Sequence, residues 1–212
     1  TKPTATPVGG VGGLLAVEPP AAHGISHILE KMGQNSRKLQ YLEAKCKLEK
    51  LRRDYPNLSG VSHFNATDIA VSKQGILDEF YDMKYATAEM WQQVNGDTVI
   101  LNSLDFNDRC HTFGDTFTCR FFVSDFSHPS YRSPSISWRV TVKDNVIAEG
   151  KLVYGHTPFI TVPAGEISFE IPDLGRPVDA ELRAVLEEDG RRVGNSWGAW
   201  FFPAGNPPAD TT

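Results

Sequence analysis

The sequence predicts an α/β segment over residues 1–97, followed by an antiparallel, immunoglobulin-like β-sandwich over 98–203 and a disordered tail over 204–212. Three observations predict it. Apolar residues recur at steps of three and four between about Ile25 and Asp54. After Asp97 that period gives way to strict alternation. Turn-forming residues then punctuate the chain at regular intervals.

In the first part, Leu14-Leu15-Ala16-Val17 reads as a short buried strand stopped by Pro19-Pro20. Tyr41, Ala44, Leu48, Leu51 and Tyr55 place one apolar stripe along a helix over 25–54, ended by Pro56. Gly33 weakens its middle, which leaves either two helices or one with a kink. The basic run over 45–53 is interrupted by Glu49 and reads as a solvated helix face rather than a nucleic-acid patch. Residues 58–64 read as a strand, and its end carries Asn65, Thr67 and Asp68. A second short helix fits 87–93. In the second part, strands are expected at 98–104, 116–123, 135–142, 146–153, 166–171, 180–186 and 198–202. Lys143-Asp144-Asn145 and Glu188-Asp189-Gly190 are hairpin turns by composition, and Trp138 is expected to plug the core.

Composition excludes several functions. The chain has 212 residues, 40% hydrophobic and 22% charged, which is globular rather than disordered. A net charge of −5 supplies no chain-wide basic field, so neither nucleic acid nor acidic lipid is an expected partner. The longest apolar run, over 11–17, is far short of a bilayer span, so no membrane partner is expected. Thr1-Lys2-Pro3, with no initiator Met or signal peptide, reads as internal to a longer polypeptide. Three cysteines are too few for a disulfide scaffold, and no CxxC spacing supports zinc. Cys110 and Cys119 flank Phe113-Gly114-Asp115 and are candidates to face each other across a hairpin, bridged or free. Neither metal nor cofactor is expected.

Four stretches, in order, resemble a known family. They are Glu49-Lys50-Leu51-Arg52-Arg53, then Leu58-Ser59-Gly60-Val61 with Phe64-Asn65-Ala66-Thr67-Asp68-Ile69, then Gln74-Gly75-Ile76-Leu77-Asp78 with Asp82-Met83-Lys84, and finally Gly194-Asn195-Ser196-Trp197-Gly198-Ala199-Trp200-Phe201-Phe202-Pro203. Together they resemble the end of the catalytic barrel and the following β-sandwich of family 2 glycoside hydrolases, the clan of β-galactosidases, β-mannosidases and β-glucuronidases. The resemblance covers roughly residues 30–203. It implies that 14–17 is the seventh strand of a (β/α)8 barrel, 25–54 the seventh helix and 58–64 the eighth strand. The six preceding strands and the general acid/base glutamate would then come from a missing N-terminal region or another chain.

The resemblance also implies a carbohydrate substrate and a retaining mechanism, which needs two carboxylates about 5–5.5 Å apart at the C-terminal ends of barrel strands. Glu18 is the carboxylate at the end of the implied seventh strand and the candidate nucleophile, although Pro19-Pro20 depart from the family pattern. His63, Phe64, Asn65 and Asp68 sit at the mouth of the implied eighth strand, where amides and carboxylates bond sugar hydroxyls and an aromatic ring stacks on a pyranose. The competing reading caps the next turn with Asn65 and Asp68 and packs His63 as a structural side chain. Asp78 and Lys84 are expected to fix the following loop by an ion pair. Trp197 and Trp200 are an odd number apart on a strand and should point to opposite faces. The chain thus reads as part of a glycosidase that is catalytically incomplete alone, in an extracellular or periplasmic setting by resemblance. A non-catalytic carbohydrate-binding or scaffold module is the alternative.

Overall fold

The protein is described by a computed structural model, which covers residues 24–205 except 59, 64, 70 and 71. Chain contacts divide it into two compact units, Thr1–Lys45 with Ser59–Trp91, and Cys46–Leu58 with Gln92–Thr212. The strand expected at 14–17 lies outside the described residues.

The second unit is built from eight strands: β1 Thr98–Asn102, β2 Cys110–Thr112, β3 Thr116–Asp125, β4 Ser135–Val142, β5 Asn145–Val153, β6 Ile160–Glu170, β7 Val178–Glu188 and β8 Arg191–Phe202. They form a three-stranded sheet, β1-β3-β6, and a five-stranded sheet, β2-β8-β7-β4-β5. Every pairing is antiparallel except β2 with β8. Alternation drives the arrangement. Phe117 and Phe121 from β3, Ile136 from β4, Leu182 and Leu186 from β7, and Phe201 from β8 are fully buried in one cluster that both sheets share. The β7–β8 hairpin closes with Asp189-Gly190 alone, both at positive φ (50° and 79°), the geometry that matches strand twist and favours Asp-Gly.

The larger differences from the sequence reading each have a local reason. β6 begins at Ile160 rather than 166, running through Pro163 and a bulge where Phe121 pairs with Gly165 and Phe122 with Pro163. β8 begins at Arg191 rather than 198, because the register with β7 carries straight through Gly194 and Gly198. The three-residue β2 has too short a pattern to read. Cys110 and Cys119 do not face each other: Cys110 pairs with Trp200, Cys119 pairs with Ile167, and both thiols are free. Trp138 packs at the margin of the core, against Gly150 on β5, instead of plugging its centre.

Both helices cross the boundary between the units. After a single 3-10 turn at Ser26–Ile28, α1 spans Leu29–Asp54 without interruption at Gly33. The solvated face expected over 45–53 is corrected at two positions, since Lys45 and Glu49 are buried. Glu49 explains why: its carboxylate accepts from Trp197 Nε1 at 2.9 Å and from Asn195 Nδ2 at 2.9 Å on β8. A turn later, Arg53 donates to the Asn102 carbonyl (2.8 Å) and to Asp105 (3.1 Å). The charged helix run and the Asn195-Ser196-Trp197 stretch are therefore two halves of one contact. α2 spans Ala88–Asn95, with the Thr87 hydroxyl accepting from Met90 N.

The strand expected at 58–64 is absent at 58 and 60–63. Val61 is 42% exposed and no neighbouring described strand offers a ladder, so β-type residues there have nothing to pair with. The segment after it is held by isolated bridges, Thr67 with Leu77, Ile69 with Ser72 and Leu77 with Met83.

Candidate functional site

Local chemistry folds the segment 66–84 onto itself through three of the motif residues. The Asp68 carboxylate accepts from Gly75 N (2.9 Å) and from Lys84 Nζ (3.1 Å), and both side chains of the ion pair are less than a tenth exposed. Lys84 completes its three donors on the carbonyls of Lys73 (2.8 Å) and Gly75 (3.1 Å). Position 75 has to be glycine: a Cβ there would stand 2.3 Å from Thr67 C and 2.4 Å from Asp68 N. Asp78 forms an Asx-type turn, its Oδ1 accepting from Phe80 N and Asp82 N. Lys84 thus meets Asp68, a pairing the sequence reading had assigned to Asp78.

This knot lines one side of a shallow cleft open to solvent. Helix α1 lines the other side with Arg37, Gln40 and Tyr41. Tyr41 anchors the wall, donating to the Met90 carbonyl at 3.2 Å and meeting Trp91 edge-on at 5.4 Å. Tyr85 and His63 complete an aromatic rim, with Tyr85 6.0 Å from Tyr41 and His63 6.4 Å from Trp91. Among the described residues the lining carries no carboxylate, and Lys84 is paired with Asp68 behind it. These residues offer a ligand aromatic faces, an imidazole and one guanidinium.

Of the residues singled out by sequence, His63 lies on this cleft, where its Nε2 is 3.4 Å from the Gln74 carbonyl. Asp68 stands behind it as the partner of Lys84. Asn65 adopts a left-handed backbone (φ 68°), and its buried Nδ2 has no hydrogen-bond partner among the described residues. Glu18 and Phe64 lie outside the described residues. The sequence reading missed Arg37, Tyr41, Tyr85 and Trp91. Tyr41 and Trp91 were assigned only to helical patterns, and nothing in their spacing announces that they converge.

A second polar centre, in the other unit, was also missed. Asp125, at the end of β3 and fully buried, accepts from the hydroxyls of Thr98 (2.7 Å) and Ser127 (2.6 Å), from Ser127 N (3.0 Å) and from Tyr131 N (3.3 Å). The oxygen that accepts from Tyr131 N also lies 2.9 Å from His156 Nε2, and His156 Nδ1 lies 3.3 Å from the Tyr154 hydroxyl. Burial alone raises the Asp125 pKa, but the Ser127 and Thr98 hydrogen bonds outweigh it and hold the carboxyl below its ordinary range. Burial pushes the Tyr154 phenol well above its ordinary value. The chain Asp125–His156–Tyr154 has the residue types of a catalytic relay. Its carboxylate and imidazole are sealed from solvent (0% and 1% exposed), and its hydrogen bonds tie the end of β3 to the 127–131 and 154–156 loops.

A model described as a domain of unknown function (DUF8488) matches residues 115–203, less than half the chain. No curated protein matches by sequence. Among solved structures, the chain is similar to a β-glucuronidase from Parabacteroides merdae, at 11% identity and TM-score 0.33 over 50% of this chain and 13% of that one. It is similar to a family 123 glycoside hydrolase from Clostridium perfringens at 10% identity and TM-score 0.31, over 49% and 24% of the two chains. It is also similar to an alkylpurine DNA glycosylase from Pseudomonas fluorescens at 10% identity and TM-score 0.37, over 54% and 33%. The chain thus spans from about an eighth to a third of these proteins, and superpositions this partial bear on neither activity nor ligand.

Proposed function

We propose that this chain is the C-terminal part of a family 2-like glycoside hydrolase, contributing barrel-end elements and an immunoglobulin-like sandwich, and catalytically incomplete without a polypeptide that supplies the rest of the barrel. The observation that carries this reading is the concentration of exposed apolar side chains on the segment the resemblance assigns to the barrel. Val61, Ile69, Phe80, Tyr81, Met83 and Tyr85 are each 42–76% exposed. A run this apolar is normally covered. The motif order supports the same reading, with Asp68, Gly75 and Lys84 knotted together and Glu49 bonded to Trp197. Glu18 is the carboxylate this part would contribute as nucleophile, and His63, Phe64, Asn65 and Asp68 its share of the barrel mouth.

Hydrogen exchange tests the covering. Amides of 61–85 should exchange measurably faster in the isolated chain than in the assembled protein. Unchanged exchange on assembly would remove the reading. The non-catalytic alternative is favoured by one feature, the aromatic rim of the cleft. It predicts sugar-dependent stabilisation of the isolated chain, lost on Trp91→Ala.

A further inference from the structure

We propose that the outer face of the five-stranded sheet, around Trp200 and Phe202, is a binding surface for a neutral glycan. This holds whether or not the chain completes a glycosidase. Alternation on β8 sends Trp197, Ala199 and Phe201 into the core and leaves Trp200 and Phe202 outside, each 42% exposed. Two residues apart on one face, they stand about 7 Å from each other, a spacing that offers two stacking positions along an extended ligand. Sugars present C–H faces that pack on such rings and a periphery of hydroxyls that need acceptors.

The sheet register supplies the acceptors. On β7, Asp179 pairs with Trp200 and Glu181 with Gly198. Directly opposed residues have Cβ atoms about 5 Å apart, so both exposed carboxylates flank the aromatic row. Neither carboxylate has a hydrogen bond or ion pair among the described residues, although each forfeits nothing by accepting one. The floor between them is bare: a Cβ built on Gly198 meets nothing within 4 Å. Aromatic ring, open floor and two free acceptors thus lie side by side.

The same chemistry rejects other occupants. Asp179 and Glu181 repel anions at the rings themselves, and the nearest cations on this face, Arg183 on β7 and Arg139 opposite it on β4, begin one residue pair beyond Glu181. Protein interfaces exclude Asp and Glu from their centres, whereas here both lie against the exposed tryptophan. A neutral polyhydroxylated ligand is the class that uses every feature present.

The test titrates the full chain with neutral tetrasaccharides of glucose, xylose, mannose and galactose, followed by calorimetry and tryptophan fluorescence. At least one series should bind, with affinity falling about tenfold or more in Trp200→Ala, the loss expected for one stacked ring. Gly198→Leu, which fills the floor, should weaken binding comparably. Asp179→Asn should weaken it less, because the amide oxygen still accepts. All three positions are exposed, and each variant's melting curve checks its fold. Three results would overturn the proposal: no tetrasaccharide binding to the unaltered chain, binding that survives Trp200→Ala, or binding lost on Trp91→Ala but not on Trp200→Ala, which moves the site to the cleft. Dissociation of a chain dimer by Trp200→Ala, with glycan binding unaffected, would assign the surface to a second copy.

Discussion

Replacing Asp125 by alanine should be among the most damaging single changes in the sandwich. The side chain is fully buried and serves five donors. Two of these recover: the Thr98 hydroxyl can rotate, and the Ser127 hydroxyl already lies 3.3 Å from the Pro129 carbonyl. Ser127 N, Tyr131 N and the His156 ring are left facing a cavity. Stranding buried donors costs roughly 1–3 kcal/mol each, with partial relaxation, so about 3–5 kcal/mol is expected in total. Against a stability of about 5–15 kcal/mol that is a large share. Asp125→Asn should cost less, about 2 kcal/mol. Its retained oxygen still serves Thr98 and Ser127, and a tautomer change lets His156 Nε2 accept from the new amide, leaving only Tyr131 N opposed. Urea unfolding at neutral pH measures both, with the slope checked for constancy. The pH dependence follows from the depressed pKa. A carboxyl whose folded pKa lies below its unfolded one stabilises fully above the unfolded value, near 3.8, and loses that contribution as pH falls through the folded value. The gap between the unaltered chain and Asp125→Ala should therefore narrow below about pH 4. An Asp125→Ala cost under about 1 kcal/mol, or a gap that widens in acid, would refute the reasoning.

Other expectations are independent of that centre. Trp197→Phe removes a donor from the buried Glu49 carboxylate and leaves a cavity where part of the larger ring stood, and should cost about 2–4 kcal/mol in urea melts. Gly190→Val forces a β-branched residue to a φ of 79° and should cost about 1–3 kcal/mol, whereas Gly114→Asn, at a φ of 85° with open space, should cost under about 1 kcal/mol. Lys84→Met leaves the Asp68 carboxylate buried without its cation and should speed amide exchange across 66–84 in hydrogen-exchange mass spectrometry.

The sandwich was largely legible because its signal is local. Ile136, Trp138, Val140 and Val142 alternate with polar residues, and Asp189-Gly190 names its own turn. What failed to read were positions where pairing overrides composition. Pro163 and Gly165 look like breakers but sit in a bulge, and Gly194 contributes nothing to a periodic pattern while still lying in register with Val185. The reverse error occurred at 58 and 60–63, where strand-like residues lack a ladder. Glu49 and Lys45 look like surface residues because charge alone cannot show that Asn195 and Trp197, some 146 and 148 residues away from Glu49, will come to meet it. The cleft was hidden for the same reason. His63 was found through its place in a motif, but Tyr41, Tyr85 and Trp91 meet only through the knot of Asp68, Gly75 and Lys84.

The assignment to a glycoside hydrolase turns on whether this chain contributes a carboxylate to turnover. The measurement is aryl β-glycoside hydrolysis by the assembled protein, with and without Glu18→Gln, and with azide as an external nucleophile. The account expects the isolated chain to be inactive and the assembly active. Glu18→Gln should lower turnover by several orders of magnitude, and azide should restore it with the anomeric configuration of the product reversed. An assembly that hydrolyses no glycoside, or turnover unchanged by Glu18→Gln, would contradict it.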